Sequence, residues 1–204
     1  MPLRRMRTIF AEGRNNMNVY EKCPVLENER YRLRLVNRTD TEDLLKVYGD
    51  LRAVPLFNGD NCKGDDFHYT TYERMGQAVD FWVQSYESGW FVRWSVVDQA
   101  KGKAVGTIEG FHRDAKDYFT NCCLLRLDLR SDYEKAEEIG SVLSLIVPAC
   151  FDLFGCDKVA TKAIPAAGER IRALEEMGFV LSDEKLTGDD GTRYDRYFVL
   201  KKQV

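Results

Sequence analysis

The sequence predicts one α+β domain, and three observations carry that prediction. Apolar positions switch between a period of two and a period near 3.6, giving the order strand, two helices, three strands, helix, strand, helix, two strands. Two strand pairs are joined by turn-forming stretches, so they read as antiparallel hairpins. At 204 residues, 44% hydrophobic and 31% charged, the chain can bury roughly 70% of its unfolded surface in a single core.

Residues 1–16, "MPLRRMRTIFAEGRNN", hold four arginines and one acid with no clean period, and read as an arm ahead of a single domain over 17–204. Met17 is an alternative start, because Glu12, Gly13 and Arg14 can be encoded by a purine-rich ribosome-binding sequence just upstream. "YRLRLV" from Tyr31 alternates as a strand, and "TDTEDLLKVYGD" reads as a helix with Thr39 and Glu42 spaced as a capping box. A loop with proline, glycine and acids follows, and Met75, Val79, Trp82, Val83 and Tyr86 then mark a second helix ending at Gly89.

"WFVRWSVVDQ" and "KAVGTIEGFH" form a hairpin about "AKGK", and a third strand follows Asp117 through "NCCLLRLDL". Ile139, Val142, Leu143, Ile146, Val147, Cys150, Phe151 and Phe154 give a helical face ending at Gly155, with a kink expected at Pro148. "DKVATKAI" is a strand and "GERIRALEEMG" a helix stopped by Gly178. "FVLSDEKL" and "RYDRYFVLKK" make a last hairpin turning at Asp190 and Gly191.

A formal net charge of −3 leaves no basic field, so neither nucleic acid nor an anionic membrane is expected as a partner. No apolar run reaches bilayer length and no secretory segment opens the chain, which points to the cytoplasm. The six cysteines contain no CxxC pair, and His68 and His112 are the only histidines, so no metal site is expected and the thiols read as reduced. A nucleophilic cysteine would need a base, for which His112 is the strand-borne candidate.

The element order, "LEEMGF" near the end, "YRLRLV" before an acidic helix and "GTIEGFH" on the third strand together resemble the GNAT acetyltransferases. The likeness is to the branch with ribosomal-protein N-terminal and polyamine acetyltransferases, and it spans roughly Tyr31 to Lys202. It implies a mixed, mostly antiparallel central sheet flanked by helices on both faces. It also implies an acetyl-CoA-dependent N-acetyltransferase acting on a primary amine of a small molecule or a protein N-terminus.

Family members hold the acetyl-CoA pyrophosphate on an Arg/Gln-x-x-Gly-x-Gly/Ala turn. One alignment puts Glu134, Glu137 and Ile139 at those positions; a shift by one puts Lys135, Glu138 and Gly140 there, and neither supplies the first glycine. The cofactor contacts implied are therefore Lys135, Glu138, Ile139 and Gly140, with backbone donors at Leu127 to Leu129, where the neighbouring strands splay. Ala167, Arg170 and Leu174 stand near the positions of the family's Asn, Ser and Tyr, so no leaving-group acid is visible.

For the base that takes the ammonium proton, Asp128 and Glu109 are the nearest carboxylates, with solvated or cross-strand charges as the competing reading. Asp60, Asp65, Asp66 and Phe67 with Trp82, Trp90 and Trp94 would suit a cationic amine, or are turn-forming aspartates and core tryptophans. Ser131 and Glu134 have capping-box spacing and, with Asp132, Glu137 and Glu138, would fill the helix N-terminus with the chain's own oxygens. Weak, salt-sensitive CoA binding follows. The alternative function is a catalytically degenerate GNAT fold serving as a ligand-binding or protein-interaction module, with a homodimer formed through a strand edge or aromatic surface.

Overall fold

A computed structural model describes residues 18–203; the arm over 1–16 and the start at Met17 lie outside them. The strands are β1 (Leu26–Glu27), β2 (Tyr31–Leu35), β3 (Val92–Asp98), β4 (Lys103–Arg113), β5 (Cys122–Leu129), β6 (Lys158–Lys162), β7 (Val180–Leu181), β8 (Leu186–Thr187), β9 (Arg193–Tyr194) and β10 (Tyr197–Lys201). The helices are α1 (Thr41–Tyr48), α2 (Tyr72–Glu87), α3 (Ala136–Leu153) and α4 (Gly168–Glu176). Eight strands form a central sheet in the order β1-β2-β3-β4-β5-β6-β10-β7, antiparallel except for β5 beside β6, and β8 pairs β9 apart from it. None of the described helices is long and apolar enough to cross a membrane.

Period-two alternation sorts the strands onto two faces. Leu33, Trp94, Ile108, Cys123, Leu125, Leu127 and Val159 pack with α3 and α4 in the larger core. On the other face, Leu44, Val47 and Tyr48 of α1 pack with Met75, Val79 and Trp82 of α2. The "LEEMGF" stretch ends α4 as expected, because Gly178 at φ +86° takes the left-handed turn that lets Phe179 re-enter the core.

Several local expectations are corrected. The capping box uses Asn37 and Asp40 around a 3-10 turn instead of Thr39 and Glu42, since Asp40 is drawn inward by Arg34 and by Ser95 at 2.7 Å. α3 runs through Pro148 as one helix. β1 was not expected; it is too short to show a period. The last hairpin is divided: Arg196 sits at φ +67° and lets the chain leave β9, paired with β8, and enter β10, paired with β6 and β7.

β4 approaches β5 closely at Gly106, where an added Cβ would lie 2.3 Å from the Asp128 carbonyl oxygen and 3.0 Å from Leu129 Cα. Both atoms are backbone and have little room to give. Gly106→Ala is expected to lower stability by about 1–3 kcal/mol, read as a shifted midpoint in urea unfolding.

Candidate functional site

β5 pairs with β6 only from Cys122↔Lys158 to Leu125↔Thr161, yet stays paired with β4 up to Leu129. The last residues of β5 therefore border a gap in the sheet. The N–H of Arg130 donates to Val105 O on the β4 side at 3.0 Å. Alternation along the strand then turns the N–H groups of Leu127 and Leu129 the other way, toward the gap. Their side chains lie buried in the α3–α4 core.

The α1–α2 side of this gap is lined by buried charges. Arg93, Glu109 and Asp128 are 1%, 1% and 2% exposed. Arg93 donates to Glu109 through Nη2 (2.5 Å), while its Nη1 reaches Asp128 (3.1 Å), Tyr48 (2.9 Å) and Thr107 (3.0 Å). Its guanidinium lies 4.2 Å from the Trp82 ring centroid. Arg126 binds the second oxygen of Glu109 at 2.8 Å, and the Tyr48 hydroxyl donates to Asp128 Oδ2 at 2.8 Å.

The two carboxylates proposed as bases thus meet through one arginine, but their situations differ. Burial pushes Glu109 up, and Arg93 and Arg126 together overcome it, holding this carboxyl below its ordinary range. Burial also pushes Asp128 up, and here Arg93 and the Tyr48 hydrogen bond offset only part, so it stays above its ordinary range. Asp128 Oδ1 is buried without a hydrogen-bond partner among the described residues. Both oxygens of Glu109 are engaged; Asp128 keeps one oxygen free to accept a proton.

At the start of α3 the expected capping box is absent. Residues Ser131–Tyr133 form a separate 3-10 turn, Lys135 precedes the helix without a side-chain cap, and Ser131 Oγ has no hydrogen-bond partner among the described residues. Glu134 is held by Arg170 of α4, because burial makes an unpaired carboxylate costly there. The Ala136 N–H donates instead to Glu169 Oε2 at 2.8 Å, a contact between helices. The carboxylate filling the helix N-terminus is the chain's own, as expected, but comes from α4.

The turn residues are placed as follows. Ile139 is buried and its N–H closes onto Lys135 O at 2.9 Å. Glu138 turns toward β2, accepting from Tyr31 (2.5 Å) and pairing with Arg30. Glu137 and Lys135 are exposed, and Gly140 sits inside the helix with no close neighbour requiring a glycine. Of the residues named from the sequence, Leu127, Leu129 and Asp128 gather at the gap, with Glu109 held beside them through Arg93; Glu138, Ile139 and Gly140 do not join them.

The acidic, aromatic pocket is not assembled. Asp60 ties the loop to Lys162 of β6 (2.6 Å) and Tyr197 of β10 (3.1 Å), Asp65 binds Tyr69 (2.8 Å) and Arg74 of α2, and Asp66 accepts from the His68 N–H, so these acids are taken by groups of the chain itself. Trp82 and Trp94 are core residues on opposite faces, while Trp90 is exposed. A cleft of about 530 Å³ does open beside this loop, lined by Asp60, Phe111, Arg126, Leu186, Gly188 and Tyr197. His112 is exposed and bonds Phe154 O at 2.6 Å, and burial raises the Cys123 thiol facing it in register, which argues against a Cys–His nucleophile.

Sequence reasoning missed Arg93, Tyr48 and Glu169. Arg93 gave a faint signal, a lone charge inside the apolar run "FVRWSVV", but alternation alone assigns such a position to a solvated face.

No protein-family model and no curated protein matches the sequence. Solved structures do match it in fold. A GNAT-family acetyltransferase from Bacillus anthracis has a TM-score of 0.64 at 12% identity, covering 87% of this chain and 98% of that one. A ribosomal-protein alanine acetyltransferase from Vibrio fischeri has 0.63 at 17%, covering 88% and 96%. A ribosomal α-N-protein acetyltransferase in complex with coenzyme A has 0.65 at 10%, covering 87% and 98%. The chain has the GNAT acetyltransferase fold.

Proposed function

We propose that this chain is an acetyl-CoA-dependent N-acetyltransferase acting on a primary amine of a small molecule or a protein N-terminus. The observation that carries the reading is the strand gap after Leu125, with two inward N–H groups on one strand and a buried carboxylate between them. Bound acetyl-CoA would supply an activated acyl group as a thioester, whose C–S bond breaks as the amide C–N bond forms, with CoA leaving as a thiolate that takes its proton from water. The N–H groups of Leu127 and Leu129 are suited to stabilise the oxyanion that develops as an amine attacks, because they are fixed by the β4–β5 ladder before the reaction begins. Asp128 takes the ammonium proton, directly or through a water, while Tyr48 and Arg93 hold its other oxygen in place. Glu109 neutralises Arg93 and so keeps that arginine from lowering Asp128 further.

A thermal melt with acetyl-CoA tests the cofactor half of this reading. Acetyl-CoA at a hundred times its Kd adds about 2.7 kcal/mol to stability, a clear rise in Tm; no rise at millimolar acetyl-CoA removes the reading. The base makes a separate prediction in pH. Since Asp128 acts deprotonated and its pKa is raised by burial, kcat/KM is expected to fall on acidification through one ionisation lying above the ordinary carboxylate range. A profile flat down to the ordinary range would exclude Asp128.

A further inference from the structure

Arg126 is the first residue of β5 past the last pair with β6, Leu125↔Thr161, and it lines the cleft of about 530 Å³. Its side chain is 14% exposed, and its guanidinium lies 5.4 Å from the centroid of Phe111, another residue of that cleft. A guanidinium carries five N–H donors in a planar fork. Arg126 uses one on Glu109 Oε1 (2.8 Å) and one on the Asp60 carbonyl oxygen (2.8 Å). Asp128 stands two residues further along the strand on the same face, a Cα separation of roughly 7 Å. The charges around Arg126 leave a place for an anion. Glu109 is shared between Arg126 and Arg93. Of the acids that line the cleft, Asp60 is neutralised by Lys162 (2.6 and 2.7 Å) and Asp117 by Arg113 (2.5 and 2.8 Å), while Asp114 and Asp189 are exposed to water, as is Lys116.

We infer that Arg126 receives a carboxylate of the acceptor, so that this cleft takes a free amino acid whose amine is directed toward Asp128. The remaining donors of the Arg126 fork give a carboxylate a charge-assisted, planar contact that a point-like ammonium does not reproduce. A protein N-terminus offers the amine without the neighbouring carboxylate, which is spent in its first peptide bond. The inference therefore selects the small-molecule half of the proposed acceptors, and it rests on the acetyltransferase reading for the transfer step. In that step the amine nitrogen forms the amide C–N bond as the thioester C–S bond breaks, CoA leaves as the thiolate, and the product is an N-acetyl amino acid. When Asp128 takes the ammonium proton it loses its own charge, which leaves Glu109 alone against two arginines. The acceptor carboxylate offsets that excess positive charge.

Rates of CoA release with acetyl-CoA are compared for the protein amino acids, their α-amides and an unblocked peptide, in the unmodified chain and in Arg126→Lys, which keeps a cation beside Glu109. In the unmodified chain kcat/KM is expected to be at least about tenfold higher for an amino acid than for its amide. In Arg126→Lys the KM for the amino acid is expected to rise at least about tenfold with kcat changed far less, and the KM for the amide to stay where it was. Calorimetric titration of both proteins with the same amino acids and amides reads the site without turnover. A preference for the free carboxylate that disappears in Arg126→Lys supports the inference. Equal or higher rates for the amide or the peptide, or a preference that survives in the variant, overturn it and leave the acetyltransferase reading standing. No acetylation of any acceptor overturns that reading, and the titration then decides the site: amino-acid binding that weakens in Arg126→Lys supports it, and no difference between amino acid and amide overturns it.

Discussion

Glu109→Gln is expected to cost about 3–5 kcal/mol of unfolding free energy, measured by urea titration at neutral pH. Among the described residues Glu109 alone holds Arg126 and Arg93 together, and it does so with one oxygen for each. Losing its charge leaves the buried Arg93 and the partly buried Arg126 with a single remaining carboxylate, Asp128, which reaches only Arg93. The penalty is the desolvation of an unpaired charge, far larger than the worth of an exposed pair. The pH dependence has a definite sign. Because Glu109 titrates below its ordinary range in the fold, its contribution is present above the unfolded pKa and is lost as pH falls through the folded one. The unmodified protein is therefore expected to lose stability on acidification below the ordinary carboxylate range, and the variant to lose less over the same interval. A variant as stable as the parent would show that the arginines find water or other acceptors.

Asp128→Asn is expected to behave in the opposite way: a fall in kcat of roughly 100-fold or more in a protein whose Tm is unchanged or higher. The folded-state pKa of Asp128 is raised, so its protonated form is the one the fold favours. Its contribution is fully present below the unfolded pKa and is lost as pH rises through the folded pKa, so at neutral pH the charged side chain is a burden on the fold. Asparagine removes that burden, and Arg93 keeps Glu109 as its counterion. It also removes the basic oxygen. Steady-state kinetics with acetyl-CoA and an amine, beside a melt of the same sample, reads both effects. Full activity would take Asp128 out of the mechanism, and a large loss of Tm would make it a structural carboxylate like Glu109.

The contrast between these two carboxylates marks the limit of what could be read from the chain alone. Both sit at polar positions of alternating strands, and nothing in "GTIEGFH" or "LLRLDL" says which will receive two arginines. Arg126 lies opposite Glu109 across the β4–β5 ladder, and Arg93 opposite it across the β3–β4 ladder, so Glu109 has an arginine on each side while Asp128 faces Thr107. The register of three strands makes that assignment. The same holds at α3: the local sequence offers Ser131 and Glu134 as caps, but Glu169, 33 residues after Ala136, is brought there by the packing of α4 on α3.

The sequence by itself determined the identity and order of the long elements and the helix end at Gly178, because periodicity and backbone preference are local properties of a chain, while the segment of β5 beside the gap followed from the resemblance to the GNAT family. It also determined that the glycine-lined turn is absent. Only the tertiary structure decided which acid is neutralised, which keeps a free oxygen, and which side chain covers the start of α3. Those outcomes depend on burial and on partners far apart in sequence, and a charge acquires its energetic meaning only when its counterion and its distance from water are known.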